Sequence, residues 1–176
     1  DDMLIIVPVR NLVLFPGTVL PVAINRERSL AAAQEAVRAE RKVGFLLQHE
    51  PDTQAPTPDD LFKVGTVANI VRYVTGQDGT HHLVVQGEQR FRVLDFQSGL
   101  PFKLARVQYL PDPATTPPEV EARALNLKRL SAEAIALLPQ APAELANAIQ
   151  AVESPSTLAD LVASFMDIKA HEKQEL

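Results

Sequence analysis

The sequence predicts an α+β protein: a compact, mostly antiparallel β barrel or folded sheet with one early helix, followed by a small α-helical bundle. Three observations carry this. Residues 1–112 are dominated by short β-branched and apolar runs punctuated by turn residues, which read as strands. The last third is rich in Ala, Leu and Glu, with apolar residues at helical spacing. Between them lies Pro111-Asp112-Pro113-Ala114-Thr115-Thr116-Pro117-Pro118, whose four prolines interrupt both helix and strand pairing. The expected division is a β-rich unit over 1–112, a linker over 113–118 and a helical unit over 119–176.

In the first unit, Leu4 to Val9 and Val19 to Ile24 read as buried strands joined through the turn Phe15-Pro16-Gly17-Thr18. A helix follows, with Leu30, Ala33 and Val37 as its apolar stripe, Glu27 and Arg28 near its start, and Arg41 and Lys42 at its end, where cations suit the helix dipole. Val43 to Leu47 is a further buried strand, and His49 to Asp60, with three prolines, is a surface loop. Strands resume at Gly65 to Val74, and Gln77-Asp78-Gly79-Thr80 is a hairpin signal, because Asp-Gly tolerates the positive φ of tight turns. His82 to Val85 returns from that turn. Phe91 and Val93 alternate with Arg90 and Arg92, and Lys103, Ala105, Val107 and Tyr109 with Leu104, Arg106 and Gln108, so both segments read as half-exposed strands. Six or seven short strands favour closure of the sheet, which protects its edges.

In the second unit, Val120, Ala124, Leu127, Leu130, Ala134 and Leu137 recur in steps of three and four and predict one helix ending before Pro139. Pro142 opens a second, with Leu145, Ile149 and Val152 facing inward. Ser154-Pro155 is an N-cap with proline at the first helical position, and Leu158, Leu161, Val162 and Phe165 supply a third buried face. Asp167 is placed to cap a fourth. With no glycine or proline terminator before Leu176, the ending reads as a cut within a longer chain.

Composition narrows the function classes. With 46% hydrophobic and 22% charged residues the chain is expected to fold rather than stay disordered. It has no cysteine, which removes disulfides, thiolate metal sites and cysteine nucleophiles. A net charge of −5 argues against a broad phosphate-binding face. The apolar run Met3 to Val9 is far short of a bilayer span and has no signal-peptide flank, so no membrane is expected and the location reads as cytoplasmic.

Catalytic patterns are missing from the sequence. There is no Gly-x-x-x-x-Gly-Lys-Ser/Thr phosphate loop and no Gly-x-Ser-x-Gly elbow. Ser29, Ser98, Ser131, Ser154, Ser156 and Ser164 read as caps, turns or surface hydroxyls. His81 and His82 are strand neighbours that point to opposite faces, which makes a polar hairpin end a better reading than a shared metal. Arg90, Arg92, Lys103 and Arg106 form a basic cluster that reads as a solvated sheet face or a patch for an anionic partner. No catalytic, cofactor-binding or metal residue is assigned.

Several segments together resemble the N-terminal domain of Lon-type ATP-dependent proteases, whose fold is related to PUA-like β domains. They are Val7-Pro8-Val9-Arg10-Asn11, Phe15-Pro16-Gly17, Leu20-Pro21-Val22, Arg26-Glu27-Arg28-Ser29, the run Asp60 to Ala68, Asp78-Gly79, the run Val85 to Val93, Ser154 to Asp160, and Glu172-Lys173-Gln174. Their order covers nearly the whole chain. The resemblance implies a PUA-like antiparallel β pseudo-barrel followed by a small helical bundle, and beyond Leu176 a long helix leading to an ATPase module, with its ATP and Mg, and a Ser-Lys protease. For this segment it implies a non-catalytic role in protein quality control: recognising unfolded or damaged polypeptides and helping to organise a hexameric serine protease. Glu27 and Arg28 match the family's charged substrate contacts at the start of the first helix, while Ala31 stands where many relatives carry a further basic residue. Leu14 and Phe15, beside the Pro-Gly turn, are candidates for an apolar contact with unfolded chains or for core packing. Two other readings stay open: a stand-alone adaptor of the same fold, and an RNA-binding PUA-like module.

Overall fold

The structure, a computed structural model, describes residues 2–176. It divides into two compact units, one running to Pro111 and including Asp167–Leu176, the other Asp112–Met166.

In the first unit six strands form one mixed sheet: β1 (Asp2–Val9), β2 (Val19–Ile24), β3 (Val43–Leu47), β4 (Val64–Thr75), β5 (His81–Gln97) and β6 (Lys103–Leu110). The strand order is β2-β5-β4-β3-β1-β6, and β5 also pairs with β6, so five strands close into a ring. Closure depends on the length of β5. Its first half pairs with β2, from His81 opposite Ile24 to Gln86 opposite Val19. Its second half pairs with β6, from Arg90 opposite Leu110 to Gln97 opposite Leu104. The segments around His82–Val85 and Phe91–Val93, which read as separate strands in the sequence, are therefore one strand. Polar Glu88, Gln89 and Arg90 continue it because alternate positions face solvent. The sheet is antiparallel except for β1 and β3, which run parallel, Ile5 to Val9 against Val43 to Leu47. That parallel pair requires a crossover, and helix α1 (Glu27–Arg38) lies within it.

Alternation along the strands sorts the core into two layers. Ile5, Val7, Val43, Phe45, Val22, Leu83 and Val85 pack with Ala32, Ala33 and Ala36 of α1. Leu4, Ile6, Leu46, Val67, Phe91, Val93, Ala105 and Val107 form the other layer, drawn from all five strands of the ring. β1 and β3 are covered on both faces, which is why they read as continuous apolar runs. The Phe91 ring occupies the space left at Gly44, where an added Cβ would sit 2.7 Å from its Cζ. In the β4–β5 hairpin only Gly79 takes a positive φ, of 81°, while the Asp78 carboxylate accepts from the Thr80 N–H.

Helix α1 buries Ser29, Ala32, Ala33 and Ala36, and Val37 is 45% exposed. The expected stripe through Leu30, Ala33 and Val37 is thus rotated. Small side chains face the sheet because they let the helix approach closely, and the larger Val37 stays outside. The loop from His49 to Asp60 is organised by Gln48, whose buried side-chain amide donates to the Glu50 and Thr53 carbonyls, both at 3.0 Å. It closes on a short 3-10 helix, Pro58–Asp60, where the Thr57 N–H donates to the Asp60 carboxylate at 2.7 Å. That bond and the Thr57 hydroxyl hold the Asp60 carboxyl below its ordinary value.

The second unit consists of α2 (Pro118–Ala136), α3 (Ala143–Ala151) and α4 (Pro155–Phe165). Ser154 caps α4, accepting from the Thr157 N–H at 3.4 Å. The inward positions of α2 are Ala124, Leu127, Ser131 and Ile135, while Leu130 is exposed and Leu137 is 83% exposed. Apolar residues surround α2 so widely that the 3.6 spacing fits more than one stripe. Phe165, expected to be buried, is 62% exposed at the end of α4. The helical unit also ends earlier than 176: α5 (Ala170–Glu175) belongs with the β unit, where Gln174 Nε2 donates to the Val64 carbonyl at 2.9 Å and His171 meets the Phe62 ring edge-on. Lys169, not Asp167, stands at its N-cap. Among the described residues no helix is long and apolar enough to cross a membrane.

Candidate functional site

The closed ring leaves a seam. Among the described residues β2 pairs with β5 alone, and the Val7–Val9 end of β1 with β3 alone. The two free edges border a groove of about 310 Å³ lined by residues 7–12 and 21–26. Free strand edges present unpaired backbone donors and acceptors, the groups that bind an extended polypeptide. Arg26 spans the seam, with Nη2 donating to the Pro8 carbonyl at 3.3 Å.

The groove adjoins a second depression, of about 230 Å³, at Pro8, Arg26 and Ser29, which line both. Its wall joins three parts of the chain: the start of α1 (Arg26, Glu27, Arg28), the loop (Gln54, Ala55, Pro56) and Lys103 at the start of β6. Ile6 and Pro8 complete it. The loop that Gln48 organises is tied to the head of α1 next to Ala55, where the Gln54 carbonyl accepts from Arg26 Nη1 at 3.5 Å. Burial, and next to it the neighbouring Arg10, pull the Arg26 guanidinium below its ordinary value. Burial likewise lowers Lys103, with Arg28 and Arg26 adding to the shift and Asp60 opposing it.

Of the four residues singled out in the sequence, Glu27 and Arg28 line this depression. Leu14 and Phe15 do not join them. They are 4% and 3% exposed, and their main chain is pinned where the Thr66 hydroxyl donates to the Leu14 carbonyl at 2.6 Å. Their side chains belong to packing, beside a separate cavity of about 510 Å³ that also involves Phe62, Arg90, Arg92 and the α5 end. The basic cluster is divided. Lys103 lies in the first depression and Arg90 and Arg92 in that separate cavity, while Arg106 is ion-paired to Asp95 at 2.5 Å. Register explains the split, since Lys103 pairs opposite Ile6 of β1 whereas Arg90 and Arg92 pair opposite the far end of β6. His81 bonds to the Tyr73 hydroxyl at 2.9 Å, and among the described residues no three His, Cys, Asp or Glu converge as a metal site.

Sequence reasoning missed Arg26, the loop residues and Lys103 as members of one site. Their shared signal was only the adjacency of Arg26 to Glu27 and Arg28; residues 54–56 and 103 arrive through tertiary structure.

A ring-shaped β unit with an open, polar-edged seam, together with a separate helical unit, defines a binding module. The chain belongs to the LON substrate-binding domain family: the model for the ATP-dependent protease La (LON) substrate-binding domain matches residues 3–176. It is 49% identical over 99% of its length to the Lon protease of Methylocella silvestris and 48% identical over its full length to that of Paraburkholderia phytofirmans. It spans 22% of the length of each of these relatives. Its fold is similar to the N-terminal domain of the Mycobacterium avium complex Lon protease, with a TM-score of 0.77 and 21% identity over 98% of this chain and 88% of that one. A Lon N-terminal domain protein from Xanthomonas campestris superposes with a TM-score of 0.58 at 21% identity, covering 94% of this chain and 99% of that one.

Proposed function

We propose that this chain recognises substrate by holding an extended segment of unfolded or damaged polypeptide along the seam between β1 and β2, with Arg26, Glu27 and Arg28 gripping it at the head of α1. The observation that carries this reading is the continuity of the free edge of β2 with a depression that has both apolar and charged walls, Arg26 standing at the Pro8 carbonyl between them. A native protein has few free extended segments to offer, so the selection is for unfolded chains. In a longer Lon-type protease the role is non-catalytic delivery: ATP, Mg and the proteolytic Ser-Lys pair belong to the other modules. Six weak sites on a cytoplasmic hexamer then raise local substrate concentration through avidity.

Titration of the chain with a reduced, alkylated and permanently unfolded protein, and with the same protein in its native state, tests this. Tighter binding of the unfolded form is expected, weakened by Arg28→Glu and unchanged by Arg123→Glu on the helical unit. Equal binding of the two forms sinks the reading.

A further inference from the structure

We propose that the depression at the head of α1 selects an acidic side chain, Asp or Glu, adjacent to an apolar residue in the bound polypeptide. The inference rests on the polypeptide reading above and adds the chemistry of the segment that is held.

Three cations, Arg26, Arg28 and Lys103, line the depression against a single carboxylate, Glu27. Among the described residues none of the three cations is ion-paired. Arg26 donates to the carbonyls of Pro8 at 3.3 Å and Gln54 at 3.5 Å, and Arg28 to that of Leu100 at 3.2 Å. Lys103 has no hydrogen-bond partner among those residues. Some cations elsewhere in the same unit find carboxylates, Arg38 with Glu35, Lys42 with Glu88 and Arg106 with Asp95, while Arg41 and Lys63 bond carbonyls singly; what sets the depression apart is that three cations share one small space. Like charges that outnumber the carboxylates near them, here Glu27 in the wall and Asp60 close to Lys103, repel one another, and partial burial strengthens the repulsion by lowering the effective dielectric. An incoming carboxylate relieves it and gains charge-assisted hydrogen bonds, bidentate where it meets guanidinium. The direction of the Lys103 shift is compatible with this: burial lowers it most, Arg28 and Arg26 add to the lowering, and Asp60 offsets part of it.

The rest of the wall sets the second requirement. Ile6, Pro8, Ala55 and Pro56 offer apolar surface, and about 230 Å³ holds roughly one or two side chains. An apolar side chain against that surface places its acidic neighbour at the cations. The chain carries a net charge of −5, so a surplus of cations at one small depression runs against its overall balance and acts only at short range.

Fluorescence anisotropy with the 176-residue chain tests this, using an acetylated and amidated peptide with one Glu beside Leu, and a twin with Gln in place of Glu. Because both ends are capped, no chain terminus contributes a carboxylate. The Glu peptide is expected to bind about three- to tenfold more tightly than the Gln peptide. That ratio should fall to about one in Lys103→Met combined with Arg28→Gln, with an unchanged circular dichroism spectrum. Equal binding of both peptides to the unaltered chain overturns the acidic preference and leaves polypeptide recognition standing. Failure of both peptides to bind overturns both. A preference that survives the double substitution, or appears only when the C-terminus is left free, also overturns the proposal.

Discussion

The β unit covers β1 and β3 on both faces, whereas the helical unit leaves most of α2 and α3 in water and buries only one face of α4. In the first, ring closure places Phe91, Ile5, Ile6, Leu46 and Leu83 out of solvent altogether. In the second, Ile149, Leu158 and Ala163 are the buried apolar residues, while Leu125, Leu130, Leu137 and Phe165 are exposed. Both units have abundant apolar residues, so the amount of apolar side chain does not explain the difference in burial. What separates them is the number of layers: a sheet closed on itself and backed by a helix supplies two cores, and three helices packed on one another bury only a few side chains.

The largest effect should come from the ring's interior. Phe91→Ala removes a ring that is fully buried and leaves a cavity, which costs about 3–5 kcal/mol and should lower the urea midpoint of the β unit. Leu158→Ala should cost about 2–3 kcal/mol in a unit with far less to lose. Hydrogen exchange is expected to show α2, α3 and α4 losing protection while the strands keep theirs. Simultaneous loss in both units breaks the comparison.

A smaller effect sharpens it from the other side. After α1 the chain turns through Glu40 at φ 52°, with Arg41 N–H donating to the Ala36 carbonyl at 2.8 Å and Glu40 N–H to that of Val37 at 3.3 Å. This is a helix terminus that favours glycine. Glu40→Gly should therefore stabilise the β unit by about 0.5–1 kcal/mol, read as a raised thermal midpoint. The smallest effect is electrostatic. Because the folded-state pKa of Lys103 lies below its unfolded value, its charge opposes folding at neutral pH. That penalty is complete below the folded pKa and fades as pH rises through it toward 10.5. Lys103→Met should thus give a gain of no more than about 0.5 kcal/mol at pH 7, because much of the group is solvated, and none above the ordinary lysine range. A gain that persists in strong alkali points to packing rather than charge.

Elements whose signal is local were legible in the chain. The strands Val19–Ile24 and Val43–Leu47, the Asp78-Gly79 turn and the Ser154-Pro155 helix start follow from residue type and spacing alone. So does the presence of Glu27 and Arg28 side by side at the start of α1, since both lie in one short run. Tertiary structure decided the rest. Fusion of two strands into β5, the parallel β1–β3 pair and the docking of α5 on the β unit are long-range events that periodicity cannot encode. The same holds for burial of Leu14 and Phe15 and for the meeting of Lys103 with Arg26 and Arg28. Local spacing determines which face of an element is apolar; only closure of the sheet determines which faces meet, and therefore which charges are left without partners.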